Sequence, residues 1–225
     1  MPGTSIVAAW FAILAGAAYA QSADPVTAAP EIHRVVVDNS YVRVLETRFA
    51  AGHPVASHVH PARVVVVLSP SRARIKTRDG KIEIADHKTG DVFWSDPIEH
   101  SQEAITGVVH EIETELKQPV PPRPAHTARD VPDLFPQLAR VIFENDRVRV
   151  IDIRGEPGQS FPFHFHPARV LVSLGSGRST VTNPNEKPHL TDYRPGNTSW
   201  AEPIEHFDAV LLGVFHNISI EIKSR

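Results

Sequence analysis

The sequence contains no cysteine. Disulfides, thiolate-held zinc, iron–sulfur clusters and a thiol nucleophile are therefore excluded. A dominant charge is missing as well. The 23 basic side chains stand against 26 acidic ones, the formal charge is −3, and no Lys/Arg run forms the stripe of a nucleic-acid binder. There is no G-x-S-x-G elbow, no phosphate-cradling glycine loop and no H-E-x-x-H pair, which removes serine hydrolases, P-loop enzymes and helix-borne zinc proteases. No segment carries a long stripe of 3.6-residue period, so helix is expected to be scarce. What the 225 residues do hold is 13 histidines, and their positions decide the reading.

Ile6–Ala18 is an uncharged apolar run, short of the ~20 residues that a membrane-spanning helix needs. It ends in Ala18-Tyr19-Ala20, a small-x-small pattern of the kind signal peptidase cuts. Residues 1–20 are read as a signal peptide, although no Lys or Arg precedes the run, and 21–33 as a polar, proline-bearing extension. A short buried helix or a membrane anchor is the competing reading. Export would make the mature chain secreted or periplasmic, with no membrane attachment once the signal is removed.

The remainder is one unit written twice. A shift of 106 residues aligns Val35–Lys117 with Val141–Lys223 without a gap, and about 30 of about 83 positions are identical. HVHPARVVVVL pairs with HFHPARVLVSL, and DPIEH with EPIEH. Chance does not produce this, so the chain is a tandem duplication. One copy covers 34–117 and the other 140–225. Between them, 118–139 is rich in proline, which disfavours helix interiors and central strands. We read it as a linker packed over the surface, with Leu134, Phe135 and Leu138 as candidate anchors.

Within each copy the pattern is β. Arg63–Leu68 is rich in β-branched residues, and Asp79-Gly80 is a hairpin turn between two alternating runs. Seven or eight short strands in about 80 residues predict a small sandwich or barrel, hence a two-domain all-β protein.

Two histidine sets carry the chemistry. Gly52 is followed by His58 and His60, then by Gly90 and His100; the second copy repeats this with Gly158, His164, His166, Gly196 and His206. A strand's side-chain period of two puts His58 and His60 on one face, and His164 and His166 likewise. A third imidazole from a neighbouring strand completes a facial three-nitrogen set. Such a set suits divalent iron, manganese, zinc, nickel or copper, one ion per barrel, with positions left open for water or substrate.

The spacing G-x5-H-x-H-P, then a hydrophobic strand, then G-x6-P-x-x-H, resembles the two sequence motifs of the cupin superfamily. The resemblance covers both copies and implies a bicupin: all-β, two tandem jelly-roll β-barrels joined by the proline-rich linker. The sequence departs from the family pattern in two ways. The family's glutamate a few residues after H-x-H falls on Val64 or Val65, and on Val170 or Leu171. Glu99 and Glu205 precede the third histidine where a glycine is usual, and Ala104 and Val210 replace the asparagine beyond it. The carry-over therefore stops at three histidines per barrel. Some cupins work on three histidines alone, thiol dioxygenases among them, and others that have lost the carboxylate bind no metal.

Three neutral imidazoles leave a divalent ion uncompensated, which favours an anionic exogenous ligand. Arg63 and Arg169 either clamp that anion or, as unbroken strand parity from His60 and His166 would have it, point outward to surface salt bridges. Glu99 and Glu205 are candidate partners or bases beside the third histidine, with parity favouring a structural role. Trp94 and Trp200 either line a pocket mouth or pack. His110 and His216 read as satisfied core histidines, His53 and His87 as surface residues. No catalytic residue is assigned. The expected function is that of an exported metal-dependent enzyme, dioxygenase-like first, acting on a small anionic molecule. The alternative is a non-catalytic small-ligand-binding or structural bicupin. A second copy of the chain is an open partner.

Overall fold

The structure is a computed structural model and describes residues 23–118, 120–121 and 130–224. The signal-peptide reading of 1–20 and part of the linker lie outside the described residues. The first half contains α1 (Pro25–Ala28), then β1 (His33–Asp38), β2 (Val42–Ala50), β3 (Pro54–His60), β4 (Arg63–Val67), β5 (Ser71–Thr77), β6 (Ile82–His87), β7 (Val92–Ser95) and β8 (Ile98–Leu116). The second half contains α2 (Val131–Leu134), then β9 (Ala139–Glu144), β10 (Val148–Gly155), β11 (Ser160–His166), β12 (Arg169–Ser173), β13 (Gly177–Thr182), β14 (His189–Tyr193), β15 (Thr198–Ala201), β16 (Ile204–Gly213) and β17 (Phe215–Ile222). The all-β expectation from alternation holds. No described helix is long and apolar enough to cross a membrane.

Each half is a pair of antiparallel sheets. In the second, β15-β12-β17-β10-β9 form one sheet and β11-β16-β13-β14 the other. The first half repeats this, except that its long β8 serves both sheets, pairing with β3 and β5 at one end and with β2 and β4 at the other. The change of sheet falls at Gly107, whose φ of +77° few other residues adopt, and at its repeat Gly213, φ +79°, where the second copy breaks into β16 and β17. Asp79-Gly80 makes the expected turn between β5 and β6.

The five-stranded sheets pack against each other. One continuous cluster takes Val42, Val44, Val64, Val66, Ile112 and Leu116 from the first half and Val148, Val150, Val170, Val172, Ile218, Ile220 and Ile222 from the second. Fully burying such a side chain contributes roughly 1.5–3 kcal/mol, so this seam joins the two halves into one body. Strand period two then fixes everything else. With Val64 and Val66 facing the twin sheet, Arg63 and Val65 face the barrel interior; with Ile112 and Leu116 in the seam, Glu111, Glu113 and Glu115 face inward.

The arms that precede the barrels also repeat at 106 residues. Asp24 caps α1 through its Oδ1, which accepts from the Val26 amide at 3.0 Å, and Asp130 occupies the same place before α2. Ala23 pairs in parallel with His58, and Asp130 with Phe165. Phe135 and Leu138 pack on the second barrel's core, whereas Leu134 is exposed.

Candidate metal centres

Gly52 and Gly158 adopt φ of +81° and +88° at the turns leading into β3 and β11. These turns aim the H-x-H strands at β8 and β16, where His58 stands opposite His100 and His164 opposite His206. The third imidazole thus arrives from the hydrogen-bonded neighbour strand, as the spacing predicts. In each half the three histidines offer ligand nitrogens that all lie within 4.8 Å of one another. The ring centroids of His58, His60 and His100 are 4.7–5.4 Å apart, and those of His164, His166 and His206 are 4.7–5.1 Å apart. His58, His60, His100, His164 and His166 are buried, and His206 nearly so.

Hydrogen bonds select the free nitrogens. The Nδ1 of His58 lies 2.7 Å from the Ala56 carbonyl, and that of His164 lies 2.8 Å from the Pro162 carbonyl. A carbonyl only accepts, so each imidazole donates from Nδ1 and keeps an unprotonated Nε2 for a metal. His60 donates from Nδ1 to Glu115 Oε1 at 2.8 Å. Neither nitrogen of His100 has a partner, an arrangement that burial makes costly unless something occupies the space between the rings. Burial pushes His100 and His206 down to about 3, with Arg63 and Arg169 respectively adding to the shift. His58, His164 and His166 are lowered for the same first reason, desolvation. These rings are neutral at neutral pH, as ligation requires. The donor set therefore fits a divalent ion in both halves.

Glu99 pairs with Arg78 at 3.1 Å rather than with the histidines, and Glu205 sits opposite Phe165 in the β11–β16 ladder. The carboxylate that orients a histidine is Glu115. It lies at the centre of a chain: Asp24 to Arg43 at 2.6 Å, Arg43 Nε to Glu115 at 2.6 Å, and Glu115 to His60. The second half repeats it as Asp130, Arg149 and Glu221, but Glu221 Oε1 stands 3.7 Å from His166 Nδ1. The shared E-x-K ending of the two copies was the available signal; its inward parity became visible only with the seam.

Arg63 and Arg169 point inward, against the simple parity argument. β3 ends at His60 and β4 restarts at Arg63, so Pro61 and Ala62 reset the alternation. The two arginines differ in company. Arg63 Nε is 2.8 Å from Glu113 Oε2. Burial acts to raise Glu113, yet His60 and Arg63 hold it well below the usual carboxylate range. Burial and the Glu113 charge push neighbouring Glu111 up to about 8. In the second half, Ser219 and Asn217 replace Glu113 and Glu111. His33 also went unread: buried beside His58, with Nδ1 2.9 Å from Thr47 Oγ1, it is matched by Ala139.

The second histidine set opens on a cavity of about 430 Å³, and in the first half His100 lines a cavity of the same volume. His87, expected at the surface, stacks on Phe93 and lines the first cavity. Trp94 and Trp200 line neither; they stack on Phe143 and Tyr41 across the halves. His110 and His216 pair with Glu46 and Asp152 at 2.8 and 3.0 Å.

No family model matches the sequence, and no curated protein matches it either. Solved structures do. A cupin 2 conserved barrel domain protein from Leptotrichia buccalis is 13% identical, with a TM-score of 0.53 over 85% of this chain and 88% of its own. AerE from Microcystis aeruginosa is 13% identical, with a TM-score of 0.54 over 86% and 98%. A single-substitution mutant of Bacillus subtilis oxalate decarboxylase OxdC is 13% identical, with a TM-score of 0.57 over 86% and 72%. The chain has the bicupin fold. The residues at the place of the cupin motif's glutamate separate by strand face: Val64 and Val170 enter the seam, while Val65 and Leu171 line the cavities.

Proposed function

We propose that this bicupin is an exported metal-dependent enzyme that binds one divalent ion per barrel and acts on a small anionic molecule. Oxygen-dependent cleavage is the first reaction class to test. The observation that carries the reading is the convergence of three imidazoles in each half, with His100 left without any hydrogen-bond partner. His58, His60 and His100 would hold one ion, and His164, His166 and His206 the other. An ion bound there supplies a Lewis acid, and a redox-active one also a site for oxygen. The chain's own residues do the rest. Glu115 holds the His60 ring in place, and the Ala56 and Pro162 carbonyls hold His58 and His164.

Decarboxylation of a small carboxylate is the second reaction class, supported by the likeness to oxalate decarboxylase, a protein with Mn(II) centres. Metal analysis of the purified protein together with oxygen uptake on small acids tests the proposal. It is supported by about two equivalents of metal per chain and by turnover. Zinc without turnover assigns ligand binding instead, and no metal after reconstitution overturns it. Sequencing the N-terminus of the protein recovered outside the cytoplasm tests export, with a start near Gln21 expected.

A further inference from the structure

Arg169 is 2% exposed, yet its Nε and Nη1 have no hydrogen-bond partner. It makes no ion pair with any described carboxylate. Asp208 and Glu221 act on it only through space, while Asp208 approaches His206 Nε2 at 3.3 Å and Glu221 is held by Arg149 at 2.7 Å. A guanidinium removed from water without a counter-charge is among the most costly groups a protein can bury. Arg169 lines the second cavity together with His164, His166 and His206. The matching guanidinium of the first half, Arg63, has the same two nitrogens outside hydrogen-bond geometry, but its charge is met by Glu113, 2.8 Å away.

The difference traces to two positions on one strand face. Glu111 and Glu113 on β8 become Asn217 and Ser219 on β17, while Gln102 becomes Asp208, whose carboxylate lies against His206 rather than Arg169, so the second interior keeps its arginine without the partner that Arg63 has. Asn217 lines the cavity beside Arg169, and Ser219 is fully buried behind it. One wall of that cavity is apolar, with Ile153, Phe161 and Phe215.

We infer that the second barrel alone is the anion-binding site of this protein, and that its ligand is a small carboxylate with an apolar body, held by Arg169. The inference narrows the anionic-substrate reading above and rests on it only for the class of ligand. The first barrel, its arginine already paired, takes no anion of this kind. The two copies have thus separated in task while keeping the same histidines.

Calorimetric titration of the full chain with benzoate, with neutral benzamide as the control, tests this. The titration is run after chelation and after loading with Mn(II), with metal content measured on the same samples. One benzoate per chain is expected, with benzamide at least tenfold weaker. Arg169→Gln should weaken benzoate at least tenfold. Ser219→Glu, which rebuilds the first barrel's counter-charge in the second, should do the same. Glu113→Ser should free Arg63 and add a second equivalent. The last two variants keep the test sharp should Arg169→Gln fail to fold, which circular dichroism reports. Two equivalents in the parent, parental affinity in both second-barrel variants, or no benzoate binding in either state overturns the inference. Metal in both sites without benzoate overturns this inference and leaves the metal reading standing. Benzoate binding as described without retained metal does the reverse.

Discussion

Glu115 Oε1 accepts a hydrogen bond from His60 Nδ1 at 2.8 Å, while its other oxygen meets Arg43 Nε at 2.6 Å. One carboxylate thereby fixes the tautomer and orientation of a ligand histidine and is itself anchored to the arm that precedes the barrel through Asp24. Removing such a partner typically costs roughly 10–100-fold in metal affinity. Glu115→Gln is expected to weaken metal at the first site by that order in a competitive chelator titration. Glu221→Gln, starting 3.7 Å from His166, is expected to have a smaller effect at the second site. Equal losses at both sites would contradict the role given to the contact between Glu115 and His60.

Metal binding and folding are linked. An ion that binds only the folded chain stabilises it by about 2.7 kcal/mol at a hundredfold excess over its dissociation constant. Chelation should therefore lower the melting temperature. In His100→Leu the buried, unpartnered nitrogens are gone, so the chelator response of the first site should disappear and the metal-free protein should melt no lower than the metal-free parent. A metal equivalence unchanged from the parent's would refute the placement of His100.

Acid should unfold the protein through its histidines. The folded values of His33, His100 and His206 are lowered to about 4, 3 and 3 by burial, against an ordinary 6.5. Below 6.5 the unfolded chain binds more protons than the folded one, so stability present above that pH is lost as pH falls toward 3. The slope is at most about 1.4 kcal/mol per pH unit for each histidine. Metal-free protein should show this loss in denaturant titrations between about pH 6.5 and pH 4, and the loss should be smaller in His100→Leu.

Glu111 works in the opposite direction. Burial raises it from 4.5 to about 8, so the folded state holds the extra proton and the stability associated with it is complete below 4.5 and lost as pH rises through 8. Glu111→Gln should match the parent near pH 4 and exceed it increasingly toward pH 8, at about 1.4 kcal/mol per pH unit at steepest. A stability difference independent of pH would exclude the buried, protonated carboxyl.

The seam between the halves gives the sharpest stability contrast. Val64 is fully buried in it. Val64→Asp places an unpaired charge between two sheets and should destabilise by about 4 kcal/mol or more. Val64→Ile, which keeps the apolar surface, should cost far less. Chemical denaturation of the two variants checks the pair.

The duplication, the β class and the histidine sets were legible in the chain alone. A 106-residue repeat, alternation and H-x-H spacing are local patterns, and each has a direct physical reading: strand period two puts His58 and His60 on one face whatever surrounds them. The direction of that face, and everything that depends on it, came from packing in three dimensions. Pro61 and Ala62 interrupt the pleat, so parity counted from His60 sends Arg63 outward when the folded chain has it inward. Glu115 lies 55 residues from the histidine it orients, beyond any local pattern. Val64 and Val65 look equivalent in the chain, and they separate only because burying one face of the sheet against its twin leaves the other face for charge. The same packing turned two silent replacements, Asn217 and Ser219, into a buried arginine without a counter-ion, because a charge's cost depends on its neighbours in space and not on its neighbours in sequence.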